Sequence, residues 1–421
     1  MSMWNHSWQK AKHAEREFFE MSLWKQPPAK APTTQIDEKM AALMETFAIV
    51  GVSAAVVKDK QVIWSDAYGW ADLDRELPVT EETVFRIASI SKLFVATSLM
   101  QQYEQGKFQL DDDISDTLGF TFRNPHHPDV PVTFRHLLTH TSSLNEDERG
   151  GELYVVFSQA SRNSNPPTLE DLLIPGGRLY VDSLWSSYKP GDVRCFAYCN
   201  LASMIVAALV ERLSGKHFDQ YCREHILRPL GMTSSDFNIQ AMGDINKLGV
   251  IYGWEDGHFE SGVDDLKGVK PEPIDWSEYV PGTNGSLYGP QGGLRTNARE
   301  LSKFMLAFMQ GGENNGARIL QRETVELMLS TQWQYEGVDP AFSEIGLQFH
   351  ITDQFIPNKR MHGHGGNAYG LYSGMYFNKE ENFGIIFITN GSNATEGTRG
   401  GFNNVEEAIS DMLYQHFFQS K

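Results

Sequence analysis

The chain has 421 residues, of which 41% are hydrophobic and 21% charged, a composition typical of a globular protein with a large buried core. The formal net charge is −18 and there is no basic cluster, which argues against nucleic acid and anionic membrane surfaces as partners. The longest apolar run, residues 201–210, is too short to span a bilayer, which takes about 20 residues.

Residues 1–32 are expected to form an N-terminal extension. A helix is predicted over residues 8–24, and the prolines that follow would end it: Pro27, Pro28 and Pro32. No apolar segment follows a basic one here, as it would in a signal peptide, so the sequence predicts a cytoplasmic protein.

The next elements are two strands and a helix. The β-rich runs at residues 52–57 and 61–68 are separated by a short polar segment, which is the pattern of a hairpin. A helix is predicted from about Ser89 to Gln105, with Gly106 as the glycine that ends it.

Residues 116–295 are rich in long polar connections, and among them a helix is predicted over residues 200–213. Farther on, Asn297 and Glu300 are predicted to form an N-cap pair at the start of another helix. The runs at residues 371–377 and 383–389 are predicted strands. A final helix places these side chains on one face: Val405, Ile409, Met412, Leu413 and His416.

This order of elements predicts an α+β fold whose sheet is shared by the two ends of the chain. Residues 33–115 and 296–421 are expected to form an α/β sheet domain. Residues 116–295 are expected to form a mostly helical domain inserted between them.

Serine motifs are the first candidates for chemistry. The esterase pattern Gly-x-Ser-x-Gly does not occur in the chain. The pattern Ser-x-x-Lys occurs four times, beginning at Ser7, Ser22, Ser89 and Ser186. The first two lie in the extension, and a proline follows the fourth closely. Only Ser89 opens an apolar helix, which favours the pair Ser89 and Lys92.

The position of Ser89 and Lys92 suits a nucleophile. Residues three apart in a helix share a face, so Lys92 is expected to reach the Ser89 hydroxyl. The helix N-terminus favours a developing alkoxide, and burial of Lys92 would lower its affinity for a proton. A serine beside a readily deprotonated lysine is an activated nucleophile. On the motif alone, an N-capping Ser89 and a surface Lys92 would be the commoner outcome.

The pattern Tyr-x-Asn occurs at Tyr198 and Asn200, just before the helix predicted in the middle of the chain. A tyrosine beside a cationic lysine would have its anion favoured, so Tyr198 is a candidate for relaying a proton to the leaving group. Asn200 is a candidate for fixing the lysine or the substrate carbonyl. The alternative is a packed tyrosine with Asn200 as N-cap. The second match, which begins at Tyr376, is explained as strand and turn.

Residues 363–367, Gly-His-Gly-Gly-Asn, form the third element. Glycines such as Gly366 let a backbone come close to a ligand. The N–H groups of Asn367 and Ser89 are therefore candidates for an oxyanion hole. The alternative is a glycine-rich turn in which His362 and His364 are solvated.

These three elements, in this order, resemble the family of serine β-lactamases, penicillin-binding proteins and class C β-lactamase-related esterases. Residues 133–144 resemble the family's stretch RHLLTHTSGL, with Ser143 where glycine is usual. Three further stretches look like the family: residues 190–191, 230–232 and 292–296. The resemblance covers roughly residues 35–418.

The resemblance implies an antiparallel sheet flanked by helices and an all-helical part, with the site between them and no metal or organic cofactor. It implies that Ser89 is the nucleophile, Lys92 the proton acceptor and Tyr198 the general base and acid. Asn200 occupies the matching position of Tyr-x-Asn. The segment that begins at His364 occupies the place of Lys-Thr-Gly.

His364 departs from the family pattern, because a histidine there removes a fixed cation that would bind the carboxylate of a β-lactam or a D-alanyl peptide. The sequence therefore predicts an esterase-like serine hydrolase that cleaves a small-molecule ester or amide through an acyl-enzyme on Ser89. The alternatives within the family are a D-amino-acid peptidase or amidase, a β-lactamase and an acyltransferase. Outside catalysis, the alternative is a silent homologue that binds a ligand or partner.

Two other groups of residues are possible sites. His136 and His140, four residues apart, would suit a metal pair, but the resemblance makes them structural and no metal site is predicted. Cys195, Cys199 and Cys222 are an odd number without framework spacing, so structural thiols are expected rather than disulfides.

Overall fold

The computed structural model describes residues 33–146 and 149–419, so the predicted helix at residues 8–24 lies outside the described residues. The α-helices are α1 (Gln35–Thr46), α2 (Ser91–Glu104), α3 (Ile114–Leu118), α4 (Phe134–Leu138), α5 (Arg149–Ala160), α6 (Leu169–Leu173), α7 (Asn200–Ser214), α8 (Phe218–Cys222), α9 (Ala298–Met309), α10 (Arg322–Leu329) and α11 (Asn404–Tyr414). The strands are β1 (Gly51–Lys58), β2 (Gln61–Asp72), β3 (Leu77–Pro78), β4 (Phe85–Arg86), β5 (Ile251–Glu255), β6 (His258–Val263), β7 (Arg295–Thr296), β8 (Glu313–Asn314), β9 (Ala317–Arg318), β10 (Trp333–Gln334), β11 (Glu344–Ile345), β12 (His350–Thr352), β13 (Met361–Ala368), β14 (Leu371–Asn378) and β15 (Phe383–Thr389).

A nine-stranded antiparallel sheet runs in the order β10-β11-β12-β13-β14-β15-β1-β2-β3. At its centre β15 pairs with β1, with Val52 opposite Thr389 and Lys58 opposite Phe383. Strands from the two ends of the chain therefore meet in one sheet, which confirms the predicted α+β fold and its shared sheet.

The predicted hairpin near the start of the sheet is also confirmed. β1 and β2 are joined at Asp59 and Lys60, whose φ angles are 49° and 67°. Two successive left-handed residues form the kind of tight turn whose twist matches that of the flanking strands.

Helices cover both faces of the sheet. Side chains alternate along β1, so that Val52 and Val56 pack in one core with α1 and α11, while Ala55 and Val57 pack in the other core with α9. Burial of each large apolar side chain in these cores stabilises the fold by about 1.5–3 kcal/mol.

Helix α9 begins where the sequence predicts, but only one of the two hydrogen bonds expected of the Asn297–Glu300 cap is formed. The Asn297 side chain accepts the Glu300 N–H at 2.8 Å, which is the expected N-cap bond. The Glu300 carboxylate accepts instead from the Ser234 N–H at 3.1 Å and the Ser235 hydroxyl at 2.6 Å. This side chain thus joins α9 to the loops of the middle segment.

The segment predicted to be mostly helical contains helices α4 to α8 and also the hairpin β5–β6. Its central helix is α7, which is buried from Leu201 to Glu211 and packs against α2. None of the helices in the described ranges combines the length and apolar character needed to cross a bilayer.

Candidate active site

Ser89 lies on a tight turn between the sheet and α2. A 3-10 turn covers Ala88–Ile90, and the regular helix starts at Ser91 rather than at Ser89, where the sequence prediction begins it. Ala88 has a φ of 46°, a conformation that costs energy for a residue with a Cβ. The turn therefore holds Ser89, which is partly exposed, in a fixed and strained backbone.

Strand β13 comes unusually close to this turn. A Cβ added at Gly366 would lie 2.4 Å from the Ile87 carbonyl oxygen, so only glycine permits the approach. On the neighbouring strand, the Ser373 hydroxyl donates to the same carbonyl at 3.1 Å. The turn that carries Ser89 is thus anchored on the sheet.

Lys92 is fully buried one turn into the helix, beside Ser89. Its Nζ donates to the Ser89 Oγ at 3.1 Å, the Asn200 Oδ1 at 2.8 Å and the Gln291 carbonyl at 2.9 Å. Burial lowers the pKa of Lys92 to about 7, although Glu146 and Cys199 oppose the shift. A lysine with such a pKa exchanges its proton readily at neutral pH.

The ring of Tyr198 lies beside the same ammonium group. The centroid of its ring is 4.9 Å from the Nζ of Lys92. Burial raises the pKa of Tyr198 well above its ordinary value, and a hydrogen bond with the Ser89 side chain opposes this only in part. The expectation of a favoured tyrosine anion is therefore wrong, since desolvation outweighs the nearby cation and leaves a neutral phenol.

Asn200 is the first residue of α7 and does not cap it. The cap is Cys199, whose Sγ accepts the Ala202 N–H at 3.2 Å. The Asn200 side chain is left to bridge two charged groups: its Oδ1 accepts from Lys92, and its Nδ2 donates to the Glu146 Oε2 at 3.1 Å.

Glu146 is a neighbour of the site that sequence reasoning missed. Its Oε1 accepts the backbone N–H of Leu201 and the thiol of Cys199, the latter at 3.3 Å. Burial raises the pKa of Glu146, and these hydrogen bonds oppose the shift. The residue stands in a run of polar and acidic residues, 145–148, which on sequence alone is typical of a solvated loop.

The glycine-rich segment is a strand, not a turn, and His364 is buried in it with 1% of its surface exposed. Its Nδ1 lies 2.6 Å from the Gly365 carbonyl oxygen, so this nitrogen carries the proton. Burial, with the nearby His350 and Lys92, holds the pKa of His364 well below its ordinary value. The alternative of a solvated His364 is therefore wrong: the histidine is buried and neutral, and it packs beside Tyr198 at 6.1 Å between ring centroids.

Asn367, the other candidate of this segment, is exposed near the end of the same strand. It pairs in register with Tyr372, next to the pair formed by Gly366 and Ser373. The strand thus brings the backbone of residues 366–367 to the edge of the turn that carries Ser89.

Three buried histidines, His140, His350 and His364, form a cluster beside the Tyr198 ring. The ring of His140 lies 4.7 Å from that of Tyr198, and the ring of His350 lies 4.0 Å from that of His364. Their Nε2 atoms make no hydrogen bond within the part of the chain that the structure describes. Burial lowers the pKa of each, so the group stays neutral around Lys92.

His136 and His140, the pair weighed as metal ligands, each accept a backbone N–H. His136 Nδ1 accepts from Thr133 at 3.2 Å, and His140 Nδ1 accepts from Cys199 at 3.1 Å. In residues 33–146 and 149–419, no group of three His, Cys, Asp or Glu side chains is arranged to hold a metal ion.

The other motif matches have different partners: the Tyr376 hydroxyl lies 3.2 Å from the Nδ1 of His350. The cysteines are free. Ser186 Oγ accepts the Tyr188 N–H at 3.1 Å in an exposed turn, and Tyr376 lies in the buried strand β14. Ser7 and Ser22 are outside the described residues. The buried free thiols are those of Cys195, Cys199 and Cys222.

The antiparallel sheet and the helical part of the fold together enclose a serine, a lysine and a tyrosine: Ser89, Lys92 and Tyr198. The model of the family described as Beta-lactamase matches residues 36–408. The chain therefore belongs to the Beta-lactamase family.

Individual relatives are distant. The chain is 25% identical over 206 residues to "Putative penicillin-binding protein PbpX" of Bacillus subtilis (strain 168), a match that covers 49% of this chain and 46% of that protein. The octameric penicillin-binding protein homologue from Pyrococcus abyssi has a TM-score of 0.68 and 21% identity, over 92% of this chain and 77% of that one. EstCE1, described as a hydrolase with promiscuous acyltransferase activity, has a TM-score of 0.65 and 22% identity, over 90% and 98%. The chain thus spans under half the length of that curated relative.

Proposed function

We propose that this protein hydrolyses a small ester or amide through an acyl-enzyme on Ser89. The observation that carries the proposal is the hydrogen bond of 3.1 Å between the Lys92 ammonium and the Ser89 hydroxyl. A nucleophile within hydrogen-bond reach of a base, with the base oriented by further groups, is the arrangement that covalent catalysis requires. Here Asn200 and the Gln291 carbonyl orient Lys92.

Acylation begins when neutral Lys92 takes the proton of Ser89 and the Oγ attacks the substrate carbonyl carbon. The negative charge that develops on the carbonyl oxygen is stabilised by the N–H groups of Ser89 and Asn367. The phenol of Tyr198 gives its proton to the leaving group and regains one from the Lys92 ammonium. The bond to the leaving group breaks, and the acyl group remains on Ser89.

Deacylation repeats these steps with water as the nucleophile. Water gives a proton through Tyr198 to Lys92 and attacks the acyl carbonyl, and the proton returns to Ser89 as the ester bond breaks. An alcohol in place of water would give acyl transfer. EstCE1 is described as having promiscuous acyltransferase activity. Acyl transfer to an alcohol is therefore a second outcome expected of the same site, and it is assayed alongside hydrolysis.

The preference for a neutral substrate rests on His364. Its imidazole is buried and neutral, so this position offers no fixed cation to a substrate carboxylate. A dedicated β-lactamase or D-alanyl peptidase acts on a carboxylate-bearing substrate and gains from such a cation. The proposal is therefore esterase-like hydrolysis, with a D-amino-acid amidase as the next candidate.

A panel of p-nitrophenyl esters, D-aminoacyl anilides and a chromogenic cephalosporin, assayed on wild type and Ser89→Ala, tests this proposal. We expect the highest kcat/KM with a neutral short-chain ester and a loss of several orders of magnitude in folded Ser89→Ala. Ser186→Ala is the matched control, because it removes the serine of another Ser-x-x-Lys match, and it should retain wild-type turnover. Turnover that survives in Ser89→Ala contradicts the proposal.

A further inference from the structure

A chain of hydrogen bonds runs from Ser89 past Lys92 to a carboxylate. Lys92 Nζ binds both the Ser89 Oγ and the Asn200 Oδ1, and the amide nitrogen of Asn200 then binds the Glu146 Oε2. The two ends of the Asn200 amide are thereby distinguished, since a carboxylate can only accept and an ammonium can only donate. Glu146 thus decides which way the Asn200 amide points.

We propose that Glu146 is a positioning residue of the site: its carboxylate holds the Asn200 oxygen toward Lys92 and places a negative charge near the Lys92 ammonium. The inference rests on the proposed hydrolase function and adds a residue to its proton-transfer machinery. Glu146 touches neither Ser89 nor a substrate in the proposed mechanism, and it acts through Asn200 and through its charge.

The donors around Glu146 favour its ionised form. Its two oxygens face three donors, the Leu201 N–H, the Asn200 amide and the Cys199 thiol. A protonated carboxyl group would accept from these donors more weakly, and its own proton would find no acceptor among them. Burial keeps the Cys199 thiol protonated, because it raises the pKa of that group well above its ordinary value.

The remaining titratable groups that face Lys92 are neutral. They lie on four elements around the ammonium: Tyr198 and Cys199 before α7, His140 after α4, His350 on β12 and His364 on β13. Tyr154 on α5 faces Glu146, and burial raises its pKa as well. Glu146 therefore supplies the counter-charge of Lys92 among the described residues.

A purely structural role for Glu146 is the alternative, because it also binds the N-terminal end of α7. The same helix offers a matched control in Glu211, which is buried and accepts the N–H groups of Phe218 at 2.9 Å and Gly282 at 2.7 Å. Glu211 is about 16 Å from Asn200 along the helix axis. Replacing either glutamate by glutamine removes a carboxylate that accepts a backbone N–H near one end of α7, but only Glu146 is linked to Lys92.

The experiment compares the pH profile of kcat/KM for p-nitrophenyl acetate in wild type, Glu146→Gln and Glu211→Gln. A nearby carboxylate stabilises protonated Lys92, so its loss makes the free base available at lower pH. We expect the acid limb of the Glu146→Gln profile to shift by about one unit toward lower pH, with a lower kcat. The acid limb of the Glu211→Gln profile should not shift. Equal profiles in wild type and Glu146→Gln, or an equal shift in both variants, overturn the proposal.

A second measurement needs no turnover. The 13Cε resonance of Lys92, assigned by its loss in Lys92→Arg, reports the titration of the amine directly, and it should titrate at lower pH in Glu146→Gln than in wild type. If wild type hydrolyses no ester, the hydrolase proposal fails, while this titration still decides the role of Glu146.

If Glu146→Gln does not fold, the pH profile of kcat/KM and the kcat of Glu146→Asp are measured instead. This variant keeps the charge but shortens the reach to Asn200, so we expect a wild-type acid limb with a lower kcat, and a wild-type kcat overturns the proposal.

Discussion

The Nζ atom of Lys92 lies 3.1 Å from the Oγ atom of Ser89, at the start of a helix whose first turn is anchored on the sheet. Burial lowers the pKa of Lys92 to about 7, so a substantial fraction of the amine is free base at neutral pH. Tyr198 is a neutral phenol in the same place. In the proposed mechanism, the base and the proton donor are therefore both in the required form near pH 7.

The first prediction concerns the pH dependence of the reaction. The base is active only when deprotonated, so kcat/KM should rise tenfold per pH unit below about pH 7 and level off above it, following Lys92. Because burial raises the pKa of Tyr198, the phenol should remain protonated, and the plateau should extend past pH 9. Initial rates with a neutral ester from pH 5 to 9.5 measure this. A profile that is flat between pH 5 and 8 would assign the base to another group.

The second prediction concerns proton transfer. Tyr198→Phe keeps the ring contacts with His140 and Phe342 but removes the hydroxyl, so kcat should fall by about 10²–10⁴-fold with little change in Tm. Tyr376→Phe is the control from the other Tyr-x-Asn match. It loses a hydrogen bond to His350, which should cost about 1 kcal/mol of stability and leave kcat within a few fold. Near-normal kcat in Tyr198→Phe would leave the whole proton transfer to Lys92.

The third prediction concerns substrate charge at position 364. His364→Lys adds a cation on a longer side chain beside Tyr198, and it should raise kcat/KM for a carboxylate-bearing substrate relative to a neutral ester. A charged hydrogen bond of about 1.5–3 kcal/mol corresponds to roughly a 10-fold to 150-fold change in that ratio. His364→Gln replaces one neutral side chain by another and should leave the ratio unchanged. The idea that this position sets charge preference fails if the ratio is the same in folded, active His364→Lys.

The fourth prediction concerns stability in acid. The pKa of His350 is about 3 in the folded protein against an ordinary value of 6.5, so between these values the unfolded chain binds the extra proton. The free energy of unfolding therefore decreases as the pH falls below 6.5, by up to about 1.4 kcal/mol per pH unit for this group. In His350→Gln the slope between pH 6 and 4 should be shallower by that amount, as measured by urea denaturation. His258→Gln, at an exposed position on β6, is the control, and equal slopes in wild type and His350→Gln would contradict the prediction.

Periodic and capped segments could be predicted from the sequence because their signals are local. The helix from Asn200 and the hairpin before Gln61 follow from apolar spacing and turn residues, and the structure has both. The 3-10 turn at Ser89 could not be predicted, because Ala88 adopts a left-handed φ of 46°, which a residue with a Cβ rarely does, in a turn that packs against β13. Residues 251–263 form a hairpin inside a segment expected to be mostly helical.

The electrostatics of the site could not be predicted because they depend on tertiary burial. Glu146 stands in an acidic loop sequence, and only the fold brings it to the start of α7. The sequence left open whether His364 is solvated, and the alternation along β13 places it in the interior. For Tyr198 the sequence indicated the neighbouring cation and not the larger cost of desolvating a phenolate.

The most direct test of the central claim is the site of covalent labelling by a fluorophosphonate, located by peptide mass spectrometry on the folded protein. A reactive serine with an adjacent base is modified, whereas a catalytically silent homologue is not. We expect one equivalent of label on the peptide that contains Ser89, retained in Ser186→Ala and lost in Ser89→Ala. Folded protein that takes up no label, or that carries it on a serine other than Ser89, would contradict the assignment of Ser89 as the nucleophile.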